Sequence, residues 1–361
     1  MSEGTRPVRI GTTAPAAPAP PVPTDVPDAL RAVPGWPDDL RPGGGATTAL
    51  WEHLATLAAR DLAVARAVEP HLDARAVLDQ AGAPALPSTV GAAATWGVYA
   101  AEGPGATLVA TPDGDGWLLD GVKPWCSLAA DLDAALVTAP VTGPVTGPAG
   151  DGGRVLLAVD LRGPGVVPVD QPWSARGLVE IPSTPVRFDR ARATLVADAG
   201  WYLTRPGFWW GGIGVAACWY GGAVGLARRV HAHVATRPDD RLLGMHLGAL
   251  DERLTAARTT LAAAALRVDA SGAATRLGRD PEDDAARAEG RLLAKRVRAT
   301  VARTCEDVLR IAAHALGPGP LTQEPEHAKR VADLEVYVRQ QHAERDDASL
   351  GAALAAGPAP W

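Results

Sequence analysis

Cysteine is scarce in this sequence. Cys126, Cys218 and Cys305 are the only three in 361 residues, too few and too far apart for a disulfide framework or a metal-binding pair. A reducing, cytoplasmic setting is the expectation that follows. Excess positive charge is missing as well. The formal net charge is −6 and lysine occurs only at Lys123, Lys295 and Lys329, so no nucleic-acid partner is expected. The opening "MSEGTRPVRIGTTAPAAPAPPVPTD" lacks the apolar core of a signal peptide, and neither a transmembrane helix nor a membrane partner is expected. His231 and His233 stand two apart on a helical pattern and point to different faces, whereas helical metal pairs need a spacing of three or four. No metal site is expected.

What is present is core-forming material: 47% of the residues are hydrophobic. The patterning falls into four blocks. Residues 1–45 are rich in alanine and proline and read as a tail or surface arm, because proline resists both helix and sheet. Residues 46–90 read as a helical domain, with Leu50, Leu54, Leu57, Leu62, Val64 and Val68 at helical spacing and Pro70 splitting the run in two. Residues 91–200 are short apolar runs separated by Asp-Gly, Gly-Pro and Pro-Gly, the pattern of a central antiparallel β domain. There "PDGDGWLLDG" reads as two hairpin corners and "PVTGPVTGPAGDGG" (140–153) as a hairpin loop. Residues 201–361 read as a C-terminal four-helix bundle. Its glycine-rich stretch "GGIGVAACWYGGAVG" follows no strand and precedes no Lys-Ser/Thr, so its glycines let helices approach rather than hold phosphate. Segregated blocks of this kind predict an α+β fold rather than alternating βαβ units.

Five strings within residues 45–350 then come in a telling order: "VYAAEGPG", "GWLLDGVKPWCSLAADLDAALVTA", "RGLVEIPSTPVRFDRARA", "YGGAVGLARR" and "ALGPGPLTQEPEHAKRVADLEVY". Together they resemble the acyl-CoA dehydrogenase superfamily of flavoproteins. The resemblance implies FAD as cofactor, with Trp125 packed on the flavin and Ser127 donating a hydrogen bond to flavin N5, where a donor stabilises the reduced ring. A buried Trp and a strand-end Ser with no ligand is the competing interpretation. The resemblance also places Ala101, Glu102 and Gly103 at the cofactor turn, Gly317 in the Gly-rich turn of the bundle, and Arg241 at the cofactor of a neighbouring subunit. It implies a homodimer or homotetramer acting on an acyl-CoA or acyl-carrier-bound substrate. Cys126, alternating with Trp125 and Ser127, is expected to face the core.

The departures from the family pattern matter as much. Ala101 replaces the family's Thr, the Ser-Asp pair of the pyrophosphate loop is missing after Gly103 and Gly105, and Arg237 and Arg241 lack the following Phe-Gly. The family's catalytic glutamate matches Gln341 here, and its less common position matches Val215. A neutral amide is no general base. His342 and Glu344 are the candidate substitutes, the first with a suitable ordinary pKa, the second equally a salt-bridge partner for Arg339 or Arg345. The aromatic set Trp201, Phe208, Trp209, Trp210, Trp219 and Tyr220 either lines a bulky-substrate pocket or packs the core. "GRLLAKRVR" (290–298) reads as a solvated basic face, with a CoA phosphate site as the alternative. Three functions therefore stand: an acyl-thioester desaturase, a flavin-dependent monooxygenase of the same fold, and a non-catalytic paralogue acting as a subunit.

Overall fold

A computed structural model of the chain describes residues 6–11, 19–82, 84, 86–142, 153–205, 207–276 and 284–357, without side chains for 273–276 and 284–286. The segment 6–11 is more than a draped arm. Val8 and Ile10 are buried, and the Ile10 and Gly11 amides donate to Glu52 Oε1 at 2.8 and 3.0 Å. A short helix α1, Val26–Ala32, follows within the block read as a tail; Asp25 caps it by accepting from the Asp28 amide.

Helices α2 (Thr47–Arg60) and α3 (Leu62–Gln80) form the N-terminal helical layer. The break between them falls at Asp61 and not at Pro70. Asp61 turns extended and its side chain accepts from the Ala63 amide at 2.8 Å, which starts a new helix. Pro70 sits inside α3, where it removes one hydrogen bond without ending a helix packed on both sides of it.

Among the described residues seven strands form one sheet: β1 Trp96–Tyr99, β2 Val109–Asp113, β3 Gly116–Lys123, β4 Ala134–Pro140, β5 Arg154–Asp160, β6 Val166–Pro168 and β7 Val186–Ala197. The order is β1-β4-β5-β7-β3-β2, with β6 on β7. The sheet is mixed rather than antiparallel throughout, because β1 pairs parallel with β4, Trp96 against Ala134. The long connection between those strands allows the crossover a parallel pair needs. Of the two expected hairpin corners one is a hairpin, closing β2 onto β3 at Asp113 and Gly116. The other, Asp120-Gly121, is a bulge inside β3. There Gly121 has φ +113 and leaves no room for a side chain beside the Thr107 backbone. The PVTG repeat falls largely outside the described residues.

The C-terminal part runs α4 Trp201–Thr204, α5 Gly207–Ala235, α6 Arg241–Arg276, α7 Asp284–Leu316, α8 Gly319–Gln323, α9 Pro325–Tyr337 and α10 Glu344–Ala355. Helices α5, α6, α7 and α9 pack as the bundle, and α5 also packs on α2 and α3. Its glycines serve that approach: a Cβ at Gly221 would overlap the Ala55 carbonyl of α2. Residues 207–227 carry no charge and no proline, yet among the described residues no helix is long and apolar enough to cross a membrane. One large core joins helices and sheet; a smaller one, with Val77, Trp96, Leu136, Leu156 and Tyr202, lies under α4.

Candidate active site

After β3 the chain leaves the sheet through an irregular turn, so residues 125–127 do not alternate along a strand. Trp125 and Leu128 are both left-handed, with φ 60 and 57. A bulky residue in that region is costly and persists only where its surroundings hold it. The consequence is a tryptophan ring that stands out 53% exposed, its edge against Gly103. Cys126 does turn inward. It is fully buried, and burial pushes its thiol up to about 12.

Ser127 faces the helical layer. Its hydroxyl lies 2.7 Å from Ser183 Oγ and accepts from Arg66 Nη2 at 3.0 Å, while its carbonyl accepts from the Tyr99 hydroxyl at 3.1 Å. Ser183 donates to the Ile181 carbonyl at 3.2 Å, which leaves Ser127 as the donor in the short Ser–Ser contact. Ser127 is therefore tied to α3 through Arg66.

Arg66 begins a polar stripe on α3. Glu69 and Asp73 follow at spacings of three and four and lie on the same face. In most surface helices such a stripe meets water; here α5 and α9 pack on α3 and Arg298 of α7 reaches the stripe. Asp73 pairs with Arg205 at 3.4 Å, and Arg205, 1% exposed, also donates to Gln80 at 2.9 Å. Arg66 lies over the Tyr337 ring at 5.9 Å. Arg298, from α7, lies over Trp219 at 4.7 Å and donates 2.8 Å bonds to the Gly212 and Gln340 carbonyls. One arginine of the "solvated" basic face thus points inward. Tyr337 stands edge-on to Trp219, its hydroxyl beside the Cys218 thiol.

Glu69 sits amid these groups and is only partly accessible. Burial pushes its carboxyl up to about 7, against the pull of Arg66 and Arg298 and with the help of Asp73. Gly212 and Val215, one turn apart on α5, are partly accessible, and Gly212 lies beside Arg298. Glu69 was not among the residues singled out from sequence. The only signal was the charged stripe at positions 66, 69 and 73, which without the bundle reads as a solvated face.

The expected catalytic positions lie elsewhere. His342 is exposed, its ring 3.6 Å from Asp346, and Glu344 starts α10 in water. Neither contacts Trp125 or Ser127. Gln341 is buried and its amide oxygen finds no hydrogen-bond partner among the described residues. Ala343 beside it is strained, at φ 44 and ψ −118.

Of the expected cofactor residues, Gly103 meets Trp125, and Ala101 is exposed. Glu102 is committed to an ion cluster, 2.8 Å from the buried Lys123 ammonium and 3.0 Å from Arg154. Arg241 opens α6 and Gly317 follows α7, both at the end of the bundle reached by the C-terminus of α5. From Trp219 to Ala235 along α5 is roughly 24 Å, so one chain does not bring these two to Ser127. The aromatic set divides: Trp209, Trp210, Trp219 and Tyr220 are core, whereas Phe208 is exposed.

No protein-family model matches the chain, and no curated protein sequence matches it. Solved structures do. KijD3, in complex with FMN and dTDP-3-amino-2,3,6-trideoxy-4-keto-3-methyl-D-glucose, has TM-score 0.72 at 18% identity over 92% of this chain and 91% of its own. A nitrososynthase from Micromonospora carbonacea var. africana has TM-score 0.71 at 20% identity over 92% and 88%. TdsC from Paenibacillus sp. A11-2, with FMN and indole, has TM-score 0.71 at 18% identity over 84% and 82%. The chain accordingly has the acyl-CoA dehydrogenase-like α+β fold.

Proposed function

We propose that the chain is a flavin-dependent monooxygenase or oxidase of small organic substrates rather than an acyl-thioester desaturase. The observation that carries this is the pair of residues at the two places the resemblance assigns to the desaturating glutamate. One is Gln341, a buried amide; the other is Val215. Neither takes a proton. The similar structures support the reading: KijD3 and TdsC are in complex with FMN, and the TdsC complex also contains indole.

The residues present fit a flavin's ring better than its adenylate. Trp125 offers a flat exposed wall, and the Ser127 hydroxyl, donating to Ser183 and accepting from Arg66, would have to exchange one of these bonds to donate to the ring. The turn that would take a pyrophosphate is bound up in the Glu102–Lys123–Arg154 cluster. FMN therefore suits these residues at least as well as FAD. When bound, a reduced flavin supplies the two electrons that let dioxygen oxidise an organic substrate. The chain's own part is positioning. Arg66 holds Ser127, Arg298 holds the Gln340 carbonyl and the Gly212 carbonyl, and α5 and α9 pack on α3 behind them. In this reading a second copy of the chain brings Arg241 and Gly317 to the cofactor, and the working unit is a homodimer or homotetramer.

The test is an absorbance titration of the purified protein with FMN and with FAD, oxidised and photoreduced, followed by anaerobic addition of an acyl-CoA. Binding of either flavin without bleaching by acyl-CoA is the expected result. Bleaching would restore the desaturase, and no binding of either flavin in either redox state would leave a non-catalytic subunit.

A further inference from the structure

We propose that Ser183 is a positioning residue: it takes the hydrogen of the Ser127 hydroxyl, and so decides which redox state of a flavin ring Ser127 can meet without breaking a bond. The proposal rests on the flavin reading above and deepens it, naming a residue that regulates the same site.

The two serines are set face to face by the backbone. On either side of them the Leu128 amide donates to the Pro182 carbonyl at 2.9 Å and the Cys126 amide to the Thr184 carbonyl at 3.2 Å. The two hydroxyl oxygens then lie 2.7 Å apart. The direction of that bond is fixed from both ends. Ser183 spends its own hydrogen on the Ile181 carbonyl at 3.2 Å, so it can only accept from Ser127. Arg66 Nη2 donates to Ser127 Oγ at 3.0 Å, and a guanidinium has no acceptor with which to reverse that bond. Arg66 is itself steadied over the Tyr337 ring. A hydroxyl has one hydrogen and two lone pairs. On Ser127 the hydrogen and one lone pair are taken, and one lone pair is open. The resemblance implied a donor at this atom; the bonds in the structure leave an acceptor.

The redox states of a flavin differ at the atom assigned to Ser127. Oxidised N5 carries a lone pair, and reduced N5 carries a hydrogen. The reduced ring can donate to the open lone pair of Ser127 while Arg66, Ser183 and the Ile181 carbonyl all keep their partners. The oxidised ring needs the Ser127 hydrogen, which must leave Ser183. Ser183 can then reverse and donate to Ser127, but only by deserting the Ile181 carbonyl. Ile181 is 1% exposed, so water does not take over that bond. The oxidised state is thus one hydrogen bond poorer than the reduced one. Without the Ser183 hydroxyl the difference disappears, because the Ser127 hydrogen then has no protein partner to leave.

The test is the ratio of dissociation constants for oxidised and photoreduced flavin, FMN and FAD in turn, measured anaerobically on the full-length wild type and on Ser183→Ala. The wild type is expected to hold the reduced form more tightly. In Ser183→Ala the ratio of the oxidised to the reduced constant is expected to fall by roughly three- to tenfold, the worth of about one hydrogen bond. A tenfold fall lowers the midpoint potential of the bound flavin by about 30 mV, which spectroelectrochemistry reads independently. Ser127→Ala and the double variant Ser127→Ala/Ser183→Ala are expected to share one ratio, since Ser183 acts only through Ser127. Tighter binding of the oxidised form by the wild type, an unchanged ratio in Ser183→Ala, an equal loss of affinity for both redox states, or a Ser183 effect that survives in the Ser127→Ala background would each overturn the proposal and leave the flavin reading standing. Binding of neither flavin in either state by the wild type overturns both.

Discussion

Helices α3 and α10 both carry carboxylates, and they treat them in opposite ways. In α10 no residue is buried. Glu344, Asp346 and Asp347 occupy its first turn, where a helix N-terminus favours negative charge, and the helix is held by surface contacts such as Arg303–Asp347 at 2.5 Å. In α3 most residues are buried, and its polar stripe is covered by α5 and α9 with Arg298 of α7 reaching in. The same functional group meets water on one helix, and on the other burial pushes Glu69 up to about 7. A carboxyl's chemistry is set by what covers it, so register with a family motif is a poor guide once the motif residue itself has changed.

The contrast breaks most severely at Arg205. Replacing it with leucine removes the partner of Asp73 and leaves a buried carboxylate alone; a loss of about 3–5 kcal/mol is expected in denaturant unfolding. Glu69→Gln sharpens the contrast from the other side. A folded-state pKa raised above the unfolded value gives stability that is fully present below about 4.5 and is lost as pH rises through about 7. The glutamine variant is therefore expected to be more stable than wild type above pH 7, by on the order of 1–3 kcal/mol, and close to it in mild acid. A thermal-melt series across that range checks it.

His71, also on α3, adds an acid limb. Burial and the neighbouring Arg75 hold it down to about 4, and its Nδ1 accepts from the Trp96 amide at 3.2 Å. Its folded pKa is depressed, so the stability it gives is present above its ordinary 6.5 and lost as pH falls toward 4. His53, buried against Trp36 and likewise held down to about 4, acts in the same direction. His71→Gln is expected to flatten part of the loss of stability between those pH values. The smallest effect belongs to α10. His342→Ala breaks only an exposed contact with Asp346 and is expected to change stability by less than about 0.5 kcal/mol and to leave flavin binding unaltered. A large effect on flavin binding would move the site to α10 and undo the comparison.

The layers of this fold were legible because they rest on local pattern. Leucines at helical spacing, Asp-Gly corners and a glycine-rich helix mark α2, the β2–β3 hairpin and α5 in turn. What stayed hidden depends on contacts between distant segments. Asp61 rather than Pro70 divides the first helices because capping won over the missing amide. The parallel β1–β4 pair joins residues nearly forty apart, and nothing in either strand announces its direction. Trp125 and Ser127 were found through family resemblance, but the left-handed turn that exposes one and turns the other toward Arg66 was not. Glu69 was invisible because a buried polar stripe and a solvated one have the same spacing.

Gly221 has a further consequence, for how such a protein can change over generations. Where α5 rides on the backbone of α2 without a single methyl group to spare, the helical walls of the site cannot be moved by small steps. Even Gly221→Ala would drive the two helices apart along their length. New substrate preferences would then have to be acquired through exposed positions of the turns, such as Trp125, Arg339 and Gln340, which can vary without disturbing the bundle behind them. The helices are the inheritance, and the loops are where a lineage can experiment.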